Sequence, residues 1–211
     1  GKPAFSLTAL LSWFTIRGNF DPARRVPAAL PPSTTIHETK GTFMKQKKLL
    51  VIDGNSIMNR AFYGIRTLTN SQGVNTNALY GFLTTLHRHL KEEEECRIAA
   101  AFDLKAPTYR HEMFKDYKAG RKPMPEELRE QFPIIKQMLD ALGVVRIERE
   151  GLEADDIIGI LSRECSDDGE KCVIITGDRD AFQLTDENVT VKLATTKQGG
   201  TQDEIYTPAE I

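Results

Sequence analysis

Cysteine is scarce: Cys96, Cys165 and Cys172 are odd in number and form no CxxC pair. That argues against a disulfide framework and a thiolate zinc site, and it fits a reducing cytosol. Long apolar runs are missing as well. Nothing in the chain approaches the roughly eighteen consecutive apolar residues of a membrane span, so no membrane partner is expected. Neither sign of charge dominates, because 28 Lys and Arg face 30 Asp and Glu for a net charge of −2. The total therefore points to neither nucleic acid nor membrane. What remains is ordinary globular composition, 40% hydrophobic and 27% charged over 211 residues, enough for one good core.

Residues 1–43 read differently from the rest. A short apolar patch from Leu7 to Ile16 holds the one tryptophan, Trp13, and Pro22, Pro27, Pro31 and Pro32 follow. A single Lys2, a weak apolar segment and no initiating Met do not make a secretory signal. Met44 followed by Lys45-Gln46-Lys47-Lys48 reads as the natural start. We expect 1–43 to be a vector-derived or upstream-translated leader without structure, and 44–211 to be the folded core.

From Lys48 onward strands and helices alternate. Leu49–Ile52 is a continuous apolar run, the mark of a strand buried on both faces. Residues 56–65 read as a short helix or loop. Leu79, Phe82, Leu83, Leu86 and Leu90 make a helical stripe, and Glu92–Glu95 reads as its solvated end. Ile98–Phe102 is a second strand. Residues 126–142 read as a helix with Leu128, Phe132, Ile135, Leu139 and Leu142 inward and a break or kink at Pro133. Val144–Ile147, Lys171–Thr176 and Val189–Ala194 complete five expected strands. A helix over 153–165 and a short one over 180–184 lie between them. Such alternation predicts a three-layer α/β domain with a mostly parallel sheet.

Acidic residues fall at the ends of these strands. Asp53, Asp103 and Asp178 each follow a buried strand, and Asp180 is two residues further on. Glu153, Asp155 and Asp156 open the helix after the third strand, where Ile157, Ile160 and Leu161 continue the apolar face. The carboxyl ends of parallel strands share one edge, and ligands bind there. Like charges about 4 Å apart repel by about 1 kcal/mol in water and about 4 at an effective dielectric of 20. Either the pKa values rise or cations sit between them. A solvated acidic helix start would explain the 153–156 cluster alone, but seven carboxylates at one edge call for another account. An all-oxygen set suits hard cations, Mg²⁺ or Mn²⁺. Two such ions about 4 Å apart could polarise a phosphodiester and generate hydroxide.

A basic segment, 104–125, carries Lys105, Arg110, Lys115, Lys118, Arg121 and Lys122 against Glu112 and Asp116. Tyr109, Phe114 and Tyr117 interleave with them. Cations on phosphates and aromatics on bases are the pattern for single-stranded nucleic acid. Standing alone, the segment would read as a solvated loop. Beside a phosphodiester-cleaving metal site it reads as a substrate clamp built from Arg110, Lys115, Tyr117, Lys118, Arg121 and Lys122. Arg60 and the loop 69–77 are candidates for further backbone contacts.

Four stretches come in order: Val-Ile-Asp-Gly-Asn (51–55), Phe-Lys-Asp-Tyr-Lys-Ala-Gly-Arg (114–121), Glu-Ala-Asp-Asp (153–156) and Thr-Gly-Asp-Arg-Asp-Ala-Phe-Gln-Leu (176–184). Together they closely resemble the 5′-to-3′ exonuclease domain of bacterial DNA polymerases I, in the flap endonuclease family. The resemblance covers about 48–211. It implies a PIN-like core with a basic helical arch. It also implies that Asp53, Asp103, Glu153, Asp155, Asp156, Asp178 and Asp180 are the metal carboxylates. Lys118 and Arg121 would steady the scissile phosphate and Tyr117 would stack a base, the catalytic trio outside the metal site. The substrate implied is DNA with a 5′ flap, a nick or a single-stranded 5′ end. A monomer is expected, with a covalently linked polymerase region in the full-length protein. The family continues with a helix–three-turn–helix and two further aspartates, which would lie past Ile211. We therefore expect this stretch to fold, bind one Mg²⁺ or Mn²⁺ and cleave slowly.

Three rival readings stand beside this one. A phosphatase of the haloacid dehalogenase class needs a second Asp two residues after the first, where Asn55 stands. A PIN-type ribonuclease uses fewer acids and lacks the basic arch. A non-catalytic DNA-binding module would bind DNA in EDTA and cleave nothing.

Overall fold

The computed structural model describes residues 48–93, 95–120, 122–197 and 200–211. The expected leader, 1–43, and Arg121 lie outside the described residues. Six strands make one sheet: β1 Lys48–Asp53, β2 Arg97–Ala101, β3 Val145–Ile147, β4 Lys171–Thr176, β5 Val189–Lys197 and β6 Gly200–Tyr206. Their order is β3-β2-β1-β4-β5-β6. Every neighbouring pair is parallel except β5–β6. The helices are α1 Gly54–Gly64, α2 Asn77–Glu92, α3 Tyr109–Met113, α4 Glu126–Arg129, α5 Gln131–Ala141 and α6 Ala154–Asp167, with a 3-10 turn at Arg179–Leu184.

Period-two alternation sorts the apolar strands between two cores. Leu49 and Val51 join Ala99, Ala101 and Ile174 beneath Ile157, Ile158 and Cys165 of α6. Leu50 and Ile52, also buried, belong to the other face, where α1 packs on β1, β2 and β4. Because helices cover both faces, the central strands read as unbroken apolar runs. The expected three-layer, mostly parallel architecture is present.

Four details depart from the sequence reading. The helical stretch 126–142 breaks at Glu130, upstream of Pro133. Pro133 has no N–H to give the Arg129 carbonyl and is tolerated in the first turn of α5. Strand β6 was not expected. It is an antiparallel edge strand with few apolar side chains, so it carries no burial signal. The run Glu92–Glu95 is not a solvated end throughout, because Glu93 is buried and paired to Lys48 (2.8 Å) and Lys192 (2.8 Å). Ile160 is exposed, and the inward face of α6 runs through Ala154, Ile157, Ile158, Ser162 and Cys165.

The β1–α1 junction depends on Gly54. A Cβ there would lie 2.3 Å from Phe102 Cε1, and Phe102 is fully buried between Phe82 and Phe132. The ring cannot retreat without disturbing both neighbours. Gly54→Ala is therefore expected to destabilise the fold by about 1–3 kcal/mol, measured as a lower urea midpoint. An unchanged midpoint would show that the ring has room.

Candidate active site

The sheet reverses its winding between β1 and β4, which opens a crevice at their carboxyl ends. Asp53 closes β1 at the centre of that edge. It is 3% exposed and caps α1, accepting from the Ser56 N–H (2.9 Å) and from Thr176 Oγ1 (2.7 Å). Burial is the largest influence on it and, with repulsion from Asp155 and Asp103, outweighs those two bonds, pushing its pKa up to about 7. Thr176 also accepts the Asp178 N–H (3.0 Å), which ties the turn after β4 to Asp53.

Asp103 stands past the end of β2 and joins three elements. Its Oδ1 accepts the Ala154 N–H at the start of α6 (2.7 Å), and its Oδ2 accepts from Asn55 Nδ2 (3.0 Å). Its own N–H donates to Asn55 Oδ1 (3.0 Å). Asp155 lies at the solvent rim. Partial desolvation, followed by repulsion from Asp178, Asp103 and Glu153, raises its pKa above the usual carboxylate range. Asp178 and Asp180 are exposed in the turn after β4, with Asp178 Oδ1 accepting the Asp180 N–H (2.9 Å).

Glu153 and Asp156 are engaged differently. Glu153 is buried and precedes α6, accepting from Lys118 Nζ (2.7 Å) and Tyr117 Oη (3.1 Å). Asp156 takes the two ends of the Arg110 guanidinium at 2.6 and 2.7 Å and accepts the Glu153 N–H at 3.0 Å. The paired guanidinium, assisted by the Glu153 N–H, holds the Asp156 carboxyl below its ordinary pKa. The predicted acids and the predicted clamp thus touch, although 35 residues separate Lys118 from Glu153. A cleft of about 250 Å³ runs between them, lined by Asp53, Arg110, Tyr117, Glu153, Asp155, Asp180 and the 3-10 turn.

The other clamp residues are dispersed. Lys115 and Lys122 are exposed and form no ion pair with an acid among the described residues. Arg60 lies under Gly177, where an added Cβ would come within 3.2 Å of its Cδ. With Ser56, Asn59, Tyr63 and Gly64 it lines a separate hollow of about 440 Å³. Sequence reasoning did not assign Asn55, Ser56, Thr176 or His111 to the site. Asn55 was visible in the first motif, but its pairing with Asp103 spans 48 residues. His111 packs edge-on against Tyr117 at 5.2 Å and, through Nδ1, accepts the Thr108 N–H at 3.1 Å.

The donor set at the rim, all carboxylate oxygen, fits a hard divalent ion. Burial, followed by repulsion among the acids, raises Asp53 and Asp155 above the usual carboxylate range, and a divalent ion between them would offset both. No three of the rim acids bring ligand atoms within 4.8 Å of one another; among the described residues the group that does is His89, Glu92 and Asp203. That group lies between α2 and the β5–β6 hairpin and already holds its own cations. Arg88 pairs with Asp203 (2.8 Å), and Lys192 with Glu92 (3.0 Å). Burial, followed by repulsion from Arg88 and Lys192, presses His89 down to about 4. It serves as a charge-balanced tie between helix and hairpin.

A three-layer sheet with this order and an acidic carboxyl edge places the molecule in the class of PIN-like nuclease folds. Solved structures agree at the level of fold. A T5 protein co-crystallised with metal ions superposes with a TM-score of 0.58 at 19% identity, covering 76% of this chain and 58% of that one. The T5 5′-exonuclease with divalent zinc ions bound gives 0.52 at 18% identity over the same shares. Within that class the chain belongs to the 5′-3′ exonuclease family, whose N-terminal resolvase-like domain matches residues 48–211. DNA polymerase I of Bacillus subtilis is 44% identical over 167 residues, 79% of this chain and 19% of that protein. DNA polymerase I of Caldicellulosiruptor bescii is 44% identical over 160 residues, 76% of this chain and again 19% of the relative. The chain therefore spans about a fifth of the length of these relatives.

Proposed function

We propose that this chain carries the metal core of a structure-specific 5′ nuclease that hydrolyses DNA phosphodiesters at 5′ flaps, nicks or single-stranded 5′ ends. The observation that carries this reading is the contact between the acid rim around Asp53 and the basic segment through Lys118, Tyr117 and Arg110. Asp53, Asp103, Glu153, Asp155 and Asp156, with Asp178 and Asp180, would hold Mg²⁺ or Mn²⁺. Held there, the ion would supply polarisation of the phosphodiester and activation of a water. Around it the protein positions the strand. Lys118 and Arg121 would steady the scissile phosphate, Tyr117 would offer a ring to a base, and Arg60, Arg110, Lys115 and Lys122 would extend the positive track. The setting proposed is a bacterial cytosol, with the chain acting as a monomer linked to a polymerase region like that of its relatives.

The deciding experiment is cleavage of a 5′-flap duplex by this chain and by a longer form, in Mg²⁺, in Mn²⁺ and in EDTA. Metal-dependent release of the flap supports the reading. Preference for single-stranded RNA would favour the PIN-ribonuclease alternative, and binding without any cleavage a DNA-binding module. The clamp is tested by salt. Each neutralised phosphate should contribute about 0.7 to 0.9 to the slope of log K against log salt. Lys118→Ala is expected to flatten the slope by about that amount, and an unchanged slope removes Lys118 from the clamp.

A further inference from the structure

The basic segment and the acid rim are joined by direct contacts within the protein. Lys118 Nζ sits 2.7 Å from Glu153 Oε1, and the Arg110 guanidinium grips both oxygens of Asp156. Tyr117 adds a third bond, to Glu153 Oε2 (3.1 Å). These contacts draw the basic segment onto the start of α6 from two points seven residues apart, at Arg110 and at Tyr117–Lys118. The drawn-down state bears a visible distortion: Lys118 holds φ +61°, in the left-handed region that non-glycine residues seldom enter.

A divalent ion and these two side chains want the same carboxylates. Like charges brought that close repel strongly, and the more so away from bulk water. Both cannot be satisfied at short range. We propose that Lys118 and Arg110 are built-in counter-ions of the acid rim, latching the basic segment down until a divalent ion enters and displaces them. Released, the two side chains become available to a phosphate-bearing strand, so ion binding and substrate binding are coupled through the same pair of residues. The latch rests on the reading of the rim as a divalent-cation site.

Two measurements on the 211-residue chain test it. The first is calorimetric titration with MnCl₂ of the wild type, Lys118→Gln, Arg110→Gln and, as control, Lys115→Gln, which removes an exposed charge from the same segment. The latch requires the first two variants to bind Mn²⁺ about tenfold more tightly than the wild type, because a competing cation has gone. The control should match the wild type. The second is amide hydrogen exchange over 109–118, which needs no variant. Saturating Mn²⁺ should speed exchange there in the wild type. In the Arg110→Gln, Lys118→Gln double variant exchange should be fast already and insensitive to the ion. Mn²⁺ binding with equal affinity in all four proteins, or exchange that slows or does not change on binding, overturns the latch and leaves the metal site standing. Absence of Mn²⁺ binding in every protein overturns both.

Discussion

Asp53→Asn is expected to give a protein that is more stable than the wild type at pH 8 in EDTA and inactive as a nuclease. Asp53 has an ordinary value of 3.8 and is pushed up to about 7 in the fold. Between those values the folded chain keeps a proton that the unfolded chain has released. Stability is therefore full below about pH 4 and falls as pH rises through 7, by about 1.4 kcal/mol per pH unit while the difference lasts. The total is about 4 kcal/mol if the whole window is traversed. Asparagine has the same shape and no charge to bury. Its oxygen can still accept from the Ser56 N–H, and its Nδ2 can donate to Thr176 Oγ1 once the hydroxyl hydrogen turns away. The pH dependence between 4 and 8 should flatten, and a urea midpoint at pH 8 should move up. Activity should move the other way. On the proposed metal role, removing the central carboxylate would withdraw several kcal/mol of transition-state charge stabilisation, a loss of about a thousandfold or more. Mg²⁺ should restore stability to the wild type at pH 8 and not to the variant, because an ion favours the ionised carboxylate. Equal pH slopes for the two proteins would show that Asp53 is not the group that titrates.

The sequence showed the sheet's centre and the location of the acids, because both depend on local signals. β1 and β4 are short runs of consecutive apolar residues ending in Asp53 or Thr176-Gly177-Asp178, and the structure puts them side by side. It did not show how the acids are used. Glu153 and Asp156 read as two equal members of the acidic start of one helix. In the fold Glu153 is buried against Lys118 and Tyr117, while Asp156 serves Arg110 and the Glu153 N–H. Those partners come from a segment with no periodicity, so no spacing argument could place them. β6 was invisible for a related reason. An edge strand is recognised by what it pairs with, and its own residues need not be apolar. The Asn55–Asp103 pairing also needed coordinates, since it joins the ends of two adjacent strands.

Asp103→Ala is expected to remove metal binding and, in addition, to cost about 2–4 kcal/mol of metal-free stability. The first effect follows from its place at the rim. The second follows from the two bonds its carboxylate accepts, neither of which the sequence revealed. Without the carboxylate, the Ala154 N–H at the start of α6 and Asn55 Nδ2 lose their partners. Ala154 is buried, so water cannot easily take over. An unsatisfied buried donor costs about 1–3 kcal/mol. One opposing influence acts: Asp103 repels Asp53 and Asp155, and its loss relieves both. Asp103→Asn separates the two roles. Its amide oxygen can keep the Ala154 bond while its NH2 group meets Asn55 Nδ2 donor to donor, so stability should fall by about 1 kcal/mol, less than for alanine, yet the neutral side chain cannot replace a carboxylate toward Mg²⁺. If the asparagine variant binds Mn²⁺ like the wild type while the alanine variant unfolds, Asp103 is a strap between β2 and α6 and no part of a metal site. If both lose the ion and only alanine loses stability, one side chain does two jobs, and the start of α6 is held in place by the same carboxylate that faces the crevice.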